Sequence, residues 1–202
     1  MYRILRARLR DGDAEAFGQV FDDHARDVHR HALRTTGSWS TAEDVVSLTF
    51  LEAWRLRETV HPDGDSVLPW LFGIATNVLR NTRRAGRRHS AAMDRMRSET
   101  VPDFADEVVD RMRDAERLAA AVAALRRLKP AEREVFALCV WSGLDYAQAA
   151  EALGVPIGTV RSRLSRARTR LRDLTERELA PRRGQEPGGR TPAARSLQEG
   201  NR

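Results

Sequence analysis

Several features that are common in enzymes and in exported proteins are missing from this sequence. It has one cysteine, Cys139, in 202 residues, so no disulfide can form within the chain. No run approaches the roughly 18 apolar residues of a membrane span, and the N-terminus lacks the apolar stretch of a signal peptide. We therefore expect a cytoplasmic protein without membrane insertion, in which Cys139 serves as a small buried hydrophobic residue.

Signatures of catalysis and metal binding are also lacking. The sequence contains no glycine-rich phosphate loop, no HExxH motif and no serine elbow, which predicts a protein that is not an enzyme and needs no cofactor. Three histidines, His24, His29 and His31, are spaced by five and two residues and therefore point to different faces of a helix. We predict that they lie at the surface and bind no metal.

Lysine is almost absent, since Lys129 is the only lysine among 35 basic residues. A GC-rich genome explains much of this bias, so the positions of the arginines are more informative than their number. The net charge is +2 in residues 1–90, −3 in 91–112, +4 in 113–178 and +3 in 179–202. This pattern predicts two basic modules, a flexible acidic linker and a disordered tail whose charge adds non-specific attraction to phosphates.

The abundant residues favour helices, and no segment alternates as a strand does, so an all-α fold is expected. In the first module, an apolar face runs from Phe17 to Leu33 and its helix ends near Gly37. The sequence from Ser40 to Glu43 has capping-box spacing and predicts the start of a second helix. A polar loop at 61–66 precedes a third helix, which is rich in arginine at its end.

The second module contains a predicted helix-turn-helix. After helices at 118–128 and 131–141, Asp145 is expected to cap a short helix, Gly154 lies in a tight turn, and a longer helix covers 157–174. The first residues of such a second helix reach base edges in the major groove. The side chains that we expect to bind DNA there are Thr159, Arg161, Ser162, Arg163, Ser165 and Arg166. No acidic residue lies between Glu151 and Asp173, which favours DNA binding over a merely solvated face.

The arginine run in the first module is less specific on its own, because a solvated helix end has the same composition. Asn77 and Asn81 lie one turn apart beside it, and their amides can hydrogen-bond base edges. The glycine-containing loop upstream could hold an unstacked base.

Taken together, four segments resemble the extracytoplasmic-function (ECF) group of sigma-70 RNA polymerase sigma factors. They are Ala42–Arg55 (AEDVVSLTFLEAWR), Leu68–Asn77 (LPWLFGIATN), Leu125–Phe136 (LRRLKPAEREVF) and Gly158–Arg168 (GTVRSRLSRAR). The resemblance covers roughly residues 10–90 and 113–175. It implies two small helical domains that direct core RNA polymerase to promoters and assist promoter opening.

The resemblance also implies roles for individual residues. In the first domain, the residues that would contact core polymerase are Asp44, Ser47, Leu48 and Leu51, although the family usually has glutamine in place of Ser47. Those that would read the minus-ten element or support the opened strand are Asp63, Gly64, Asp65, Asn77, Arg80, Asn81 and Arg84. The second domain would read the minus-thirty-five element through the six residues of its helix-turn-helix. The implied partners are promoter DNA, the polymerase clamp and flap, and an anti-sigma factor.

Two other classes of protein share part of this pattern. A stand-alone helix-turn-helix regulator, such as the output domain of a response regulator, would bind duplex DNA without polymerase, but residues 1–90 do not resemble a β/α receiver. A recombinase would need a catalytic serine or tyrosine. The only tyrosines are Tyr2, at the terminus, and Tyr146, inside the helix-turn-helix.

Overall fold

The structure is a computed structural model that describes residues 2–93 and 123–179. The first module contains α1 (Tyr2–Arg10), α2 (Ala14–Thr36), α3 (Trp39–Arg55), a 3-10 turn (Arg57–Thr59) and α4 (Leu68–Met93). In the second module, a helical stretch at 123–127 precedes α5 (Pro130–Phe136), a π-helical turn (Ala137–Trp141), α6 (Tyr146–Leu153) and α7 (Ile157–Leu179). The described ranges contain no strand, and the all-α prediction is confirmed.

The first module is held together by an apolar core between its four helices. This core contains Leu9, Val20, Val28, Phe50, Ala53, Val67, Leu71, Ile74 and Ala75. Helix α1 was not predicted, although Leu9 on α1 is 1% exposed. In its sequence, YRILRARLR, Leu5 and Leu9 lie one turn apart, and they face the core where α1 packs on α2 and the 3-10 turn.

The predicted limits of α3, α4 and α7 were wrong, whereas the predicted 131–141 helix differs only in its internal geometry. Helix α3 is capped by Ser38, whose hydroxyl accepts a hydrogen bond from the Thr41 amide, so Ser40 lies inside the first turn. Ser38 follows Gly37, which ends α2 in a left-handed conformation, and this leaves no room for a loop extending to Ser40. Helix α7 continues to Leu179, and the predicted 131–141 helix changes to π-helical geometry at Ala137. Helix α4 also extends three residues into the predicted linker; the rest of the linker and tail lies outside the described residues.

The helix-turn-helix is formed as predicted. Asp145 accepts a hydrogen bond from the Gln148 amide while the Gln148 side chain accepts one from the Asp145 amide, completing a capping box. Gly154 ends α6, and α7 begins three residues later. Val160, Leu164 and Ala167 on α7 are buried, which turns the opposite side of this helix outward.

The two modules pack directly against each other. Phe72 on α4 is 1% exposed and belongs to the apolar core of the second module, beside Val135, Leu138 and Val160. Gly73 lies so close to α6 that a methyl group in place of its hydrogen would come within 2.6 Å of the Ala152 carbonyl oxygen. Part of the core of the second module is therefore supplied by α4 of the first.

Polar contacts extend the seam between the modules. The Arg80 guanidinium donates two hydrogen bonds to the Glu134 carboxylate, at 2.7 and 2.6 Å. Arg34 donates to the Trp141 carbonyl at 2.8 Å, and His31 Nδ1 lies 2.8 Å from the Ser142 hydroxyl. We call this seam, defined by Phe72, Gly73, Arg80, His31 and their partners, the intermodule contact.

The surface prediction for the histidines was wrong for His31. Its side chain is buried, its ring packs 5.0 Å from that of Phe72, and burial together with the charge of Arg83 lowers its pKa to about 4. His24 and His29 are half-buried, and the His29 ring packs 4.6 Å from that of Trp39. The helix spacing was read correctly, but the second module covers a face of α2 that would otherwise be exposed.

Acidification should destabilise the protein through His31. The pKa of His31 is about 4 in the folded protein and near 6.5 in the unfolded protein. Above pH 6.5 the side chain is neutral in both states, whereas between pH 6.5 and 4 the unfolded protein binds a proton that the folded protein does not. The free energy of unfolding therefore falls progressively from pH 6.5 down to pH 4, by about 3 kcal/mol in all. Urea unfolding across this range should show the free energy of unfolding falling more steeply for the wild type than for His31→Gln. Parallel losses in the two proteins would show that His31 does not cause the effect.

Candidate nucleic-acid interface

The exposed side of α7 carries the residues predicted to bind the minus-thirty-five element. Arg161, Ser162, Ser165 and Arg166 are exposed, whereas Thr159 and Arg163 are half-buried at the edges of the helix. Short hydroxyl side chains alternate here with guanidinium groups, which can bind phosphates or a guanine edge through two N–H groups. The face therefore has the shape and charge of a major-groove reading helix.

Two contacts orient this face on the second module. Glu132 on α5 is 5% exposed, and its carboxylate accepts a hydrogen bond from Arg170 at 3.0 Å and lies 3.8 Å from Arg166 Nε. On the other side, the Arg161 guanidinium lies 5.9 Å from the centre of the Tyr146 ring. These contacts link α7 to both preceding helices, so the side chains of its arginines are restricted in conformation before DNA binds. Sequence reasoning missed Glu132, because nothing in its local pattern distinguishes a buried glutamate from a solvated one.

The residues predicted to read the minus-ten element occupy two places on the first module. Asp63, Gly64 and Asp65 are exposed in the loop between Val60 and Val67, whose buried side chains anchor both its ends. The others lie on the later turns of α4, where Asn77, Asn81 and Arg84 are exposed.

Arg80 is not free to contact DNA in this arrangement. Besides its two bonds to Glu134, it donates a hydrogen bond to Asn77 Oδ1 at 3.0 Å. The hydrogen bond to Glu134 raises the pKa of the Arg80 guanidinium, which keeps this arginine charged. The Glu134 side chain is 11% exposed and the Arg80 side chain 39% exposed, so the ion pair is shielded from solvent mainly on the Glu134 side. The sequence contains no sign that a predicted DNA contact would bind a residue 54 positions away.

An apolar surface on α3 carries the residues predicted to contact core polymerase. Leu48 is 48% exposed and Leu51 is 61% exposed, and Asp44 and Ser47 lie exposed on the same helix. The Ser47 hydroxyl donates to the Glu43 carbonyl at 3.1 Å and so remains close to the backbone. A groove between α3 and α4 joins this surface to residues predicted to bind minus-ten DNA, because Leu48, Asn77 and Asn81 all line it.

Comparison with known proteins decides the family. Residues 20–89 match the profile of Sigma-70 region 2, and residues 118–171 match that of Sigma-70, region 4. The ECF RNA polymerase sigma factor SigL of Mycobacterium tuberculosis is 36% identical over 174 residues, covering 83% of this chain and 92% of SigL. The chain belongs to the ECF group of the sigma-70 family. As an ECF sigma factor, it directs core RNA polymerase to specific promoters and assists promoter opening during transcription initiation.

Other relatives agree with this assignment. The RNA polymerase sigma factor NccH of Alcaligenes xylosoxydans xylosoxydans is 34% identical over 179 residues, covering 85% of this ECF sigma factor and 93% of NccH. The structure of CnrH in complex with the cytosolic domain of CnrY is similar with a TM-score of 0.61 and 28% identity, covering 87% and 97% of the two chains. The sigma factor RpoE of Bartonella quintana, in complex with the anti-sigma factor NepR, gives a TM-score of 0.60 at 28% identity, covering 81% and 98%.

Within residues 2–93 and 123–179 of the ECF sigma factor, no helix is both long and apolar enough to cross a membrane. The same ranges contain no group of three or more His, Cys, Asp or Glu side chains arranged to hold a metal ion.

Proposed function

We propose that the second module, residues 113–178, reads the minus-thirty-five element through α7. The observation that carries this proposal is the exposed basic face of α7, seated on a capped helix-turn-helix and bordered by Glu132 and Tyr146. Thr159, Arg161, Ser162, Arg163, Ser165 and Arg166 supply the base and phosphate contacts. Arg161 and Arg166 carry the largest share, because both are exposed and charged.

The first module, residues 1–90, reads and opens the minus-ten element. The loop carrying Asp63, Gly64 and Asp65 holds an extruded base, and the helix positions Asn77, Arg80, Asn81 and Arg84 support the opened strand. Exposed aspartates suit this role, because carboxylate oxygens accept hydrogen bonds from the amino groups of bases. Arg80 joins this surface when it leaves Glu134.

Core RNA polymerase binds the α3 surface formed by Asp44, Ser47, Leu48 and Leu51, and its flap contacts the second module. An exposed apolar patch with an acidic border is typical of a protein interface. The protein works in the cytoplasm and has no catalytic activity of its own. Because CnrH and RpoE were each solved with a second protein, and NepR is named an anti-sigma factor, we include an anti-sigma factor among the partners.

The intermodule contact has to open before both promoter elements can be bound. The positions for which the two elements are named place their centres roughly 25 base pairs apart, or about 85 Å at 3.4 Å per step. A compact chain of about 150 residues has a radius of gyration of roughly 15 Å. The arrangement with Phe72 in the core of the second module is therefore a closed form, and the linker proposed between the modules allows their separation.

Two different substitutions should open the closed form. Glu134→Gln removes the charge that binds Arg80, and loss of such a charge-assisted pair costs about 1.5–3 kcal/mol, or roughly tenfold or more in the opening equilibrium. Gly73→Ala leaves all charges in place but drives a methyl group against the Ala152 carbonyl. Small-angle X-ray scattering should show a larger radius of gyration for both variants.

The matched control is Glu151→Gln, the same substitution at an exposed residue of α6. It should scatter like the wild type. If Glu134→Gln and Gly73→Ala also scatter like the wild type, the intermodule contact is not the element that holds the modules together.

The proposed assignment of surfaces is tested by promoter-dependent run-off transcription with reconstituted core polymerase. Substitutions in α7 should reduce transcription only from promoters that have a minus-thirty-five element. Substitutions in the 61–66 loop should change how transcription depends on the minus-ten sequence. If α7 variants lose activity equally on promoters with and without a minus-thirty-five element, α7 is not its reader.

A further inference from the structure

Arg6 is the most deeply buried charged side chain in the described residues, and it lies outside the surfaces proposed to read the promoter. It is 1% exposed, although it lies on α1 near the start of the chain. Burying a guanidinium is costly unless its N–H groups find partners. Its partners therefore indicate what this arginine does for the molecule.

Those partners are backbone carbonyls of a single loop. Arg6 Nη1 donates to the His61 carbonyl at 2.6 Å and to the Asp63 carbonyl at 3.1 Å, and Nη2 donates to the Ser66 carbonyl. Arg10, one turn further along α1, donates to the Val60 carbonyl at 2.8 Å. Helix α1 thus binds the backbone of the loop from its beginning to its end.

The shape of the loop matches this contact. Gly64 has a φ of 147°, and a methyl group in its place would lie 2.7–2.9 Å from the Arg6 guanidinium. The loop backbone therefore lies directly on the guanidinium group, while the side chains of His61, Asp63 and Asp65 are exposed. The bonded carbonyls face the guanidinium and the side chains of Asp63 and Asp65 are exposed, whereas His61 Nδ1 lies within hydrogen-bond distance of the Asp63 backbone.

We infer that Arg6 is a positioning residue for promoter recognition: it holds the 61–66 loop in the conformation that selects the extruded minus-ten base. This inference rests on the proposed function of the loop. A loop that is already ordered does not lose conformational entropy when it captures a base, and a fixed backbone gives its side chains one set of directions. The planar guanidinium suits this task, because two of its nitrogens bind three carbonyls at once, which a single ammonium nitrogen reproduces poorly.

The main test compares Arg6→Lys with Arg8→Lys in reconstituted holoenzyme. Arg8 is the matched control, because it lies on the same helix but pairs with Asp13 and Glu15 instead of the loop. The readout is base selectivity, measured as the ratio of run-off transcription between promoters that differ only at one minus-ten base. A protein that is merely less stable loses activity on all promoters alike, so this ratio does not change.

Arg6→Lys should reduce the selectivity ratio by about tenfold, as expected when charge-assisted hydrogen bonds to the loop are lost, and should leave core binding unchanged. Fluorescence of 2-aminopurine at the extruded position should fall in parallel, since less of the base is held outside the stack. Arg8→Lys should match the wild type in both measurements. Unchanged selectivity in a folded Arg6→Lys protein would overturn the inference.

Gly64→Ala tests the same contact from the loop side and keeps the buried charge. If the two residues act through one contact, the double variant should lose no more selectivity than the more severe single variant. Additive losses would show that Arg6 and Gly64 act separately, which also contradicts the inference. Asp63→Ala and Asp65→Ala test the role of the loop separately from the role of Arg6. If neither aspartate variant changes selectivity, the loop does not read the minus-ten base. If the aspartate variants change selectivity and Arg6→Lys does not, the loop reads the base but Arg6 does not position it.

Discussion

Leu51→Glu should weaken binding of the sigma factor to core RNA polymerase by roughly 30- to 1000-fold, the range for losing a central interface residue worth about 2–4 kcal/mol. Leu51 is 61% exposed on α3, so the substitution costs the isolated protein little stability. In the complex, however, the new carboxylate would be buried against an apolar surface without a partner. Binding to core enzyme by fluorescence anisotropy and thermal unfolding of the free protein measure the two effects separately.

Ile4→Glu is the control for this experiment. Ile4 is 69% exposed in the same module but lies on α1, outside the proposed polymerase surface. Its variant should bind core enzyme like the wild type. Equal loss of binding in the two variants would point to a general effect of added negative charge and would remove the evidence for an α3 interface.

Arg161→Ala and Arg166→Ala should each weaken binding to minus-thirty-five DNA by about 1–3 kcal/mol, or roughly five- to 150-fold. Both side chains are exposed on α7, and Arg170 still pairs with Glu132 when Arg166 is replaced, so neither change should unfold the module, and binding to core enzyme should be unchanged. Arg163→Ala should have a smaller effect, because Arg163 is half-buried at the edge of the reading face. Electrophoretic mobility shifts with holoenzyme on specific and scrambled sites measure these losses.

The salt dependence of binding distinguishes the two kinds of arginine contact. Loss of a phosphate contact lowers the slope of log K against log salt by about 0.9 and affects all sequences equally, whereas loss of a base contact lowers only specific binding. Arg126→Ala is the matched control, since it removes the same charge from an exposed position of the second module outside α7. If it weakens binding as much as Arg161→Ala does, the overall charge of the module explains the effect and α7 has no special role.

Much of the fold could be predicted because it depends on interactions between close neighbours in sequence. The capping box of Asp145 and Gln148 joins residues three positions apart, and the buried stripe through Val160 and Leu164 follows helical periodicity. The same local logic failed at α3, where Ser38 and Ser40 both have the chemistry of a cap. The end of the preceding helix decided between them.

Exposure of the candidate binding residues was only partly predictable. The hydroxyl and arginine residues of α7 lie opposite its buried stripe, so periodicity alone places most of them outward. Leu48 and Leu51 follow the buried Val45 at three-residue spacing along α3, yet both are exposed. Amphipathic patterns do not distinguish a leucine that packs in the core from one that is exposed and available to bind another protein.

The sequence by itself determined the family, the helix-turn-helix and the basic face of its second helix, because these depend on short motifs and on the spacing of residues along one helix. Only the tertiary structure decided that Arg80 binds Glu134, that His31 is buried beside Ser142 and that Arg6 holds the 61–66 loop. These partners lie 54, 111 and 55 to 60 residues apart in the chain. A charged or polar side chain has the same local pattern whether it is solvated or buried, and only packing against a distant segment removes its water and supplies its partner.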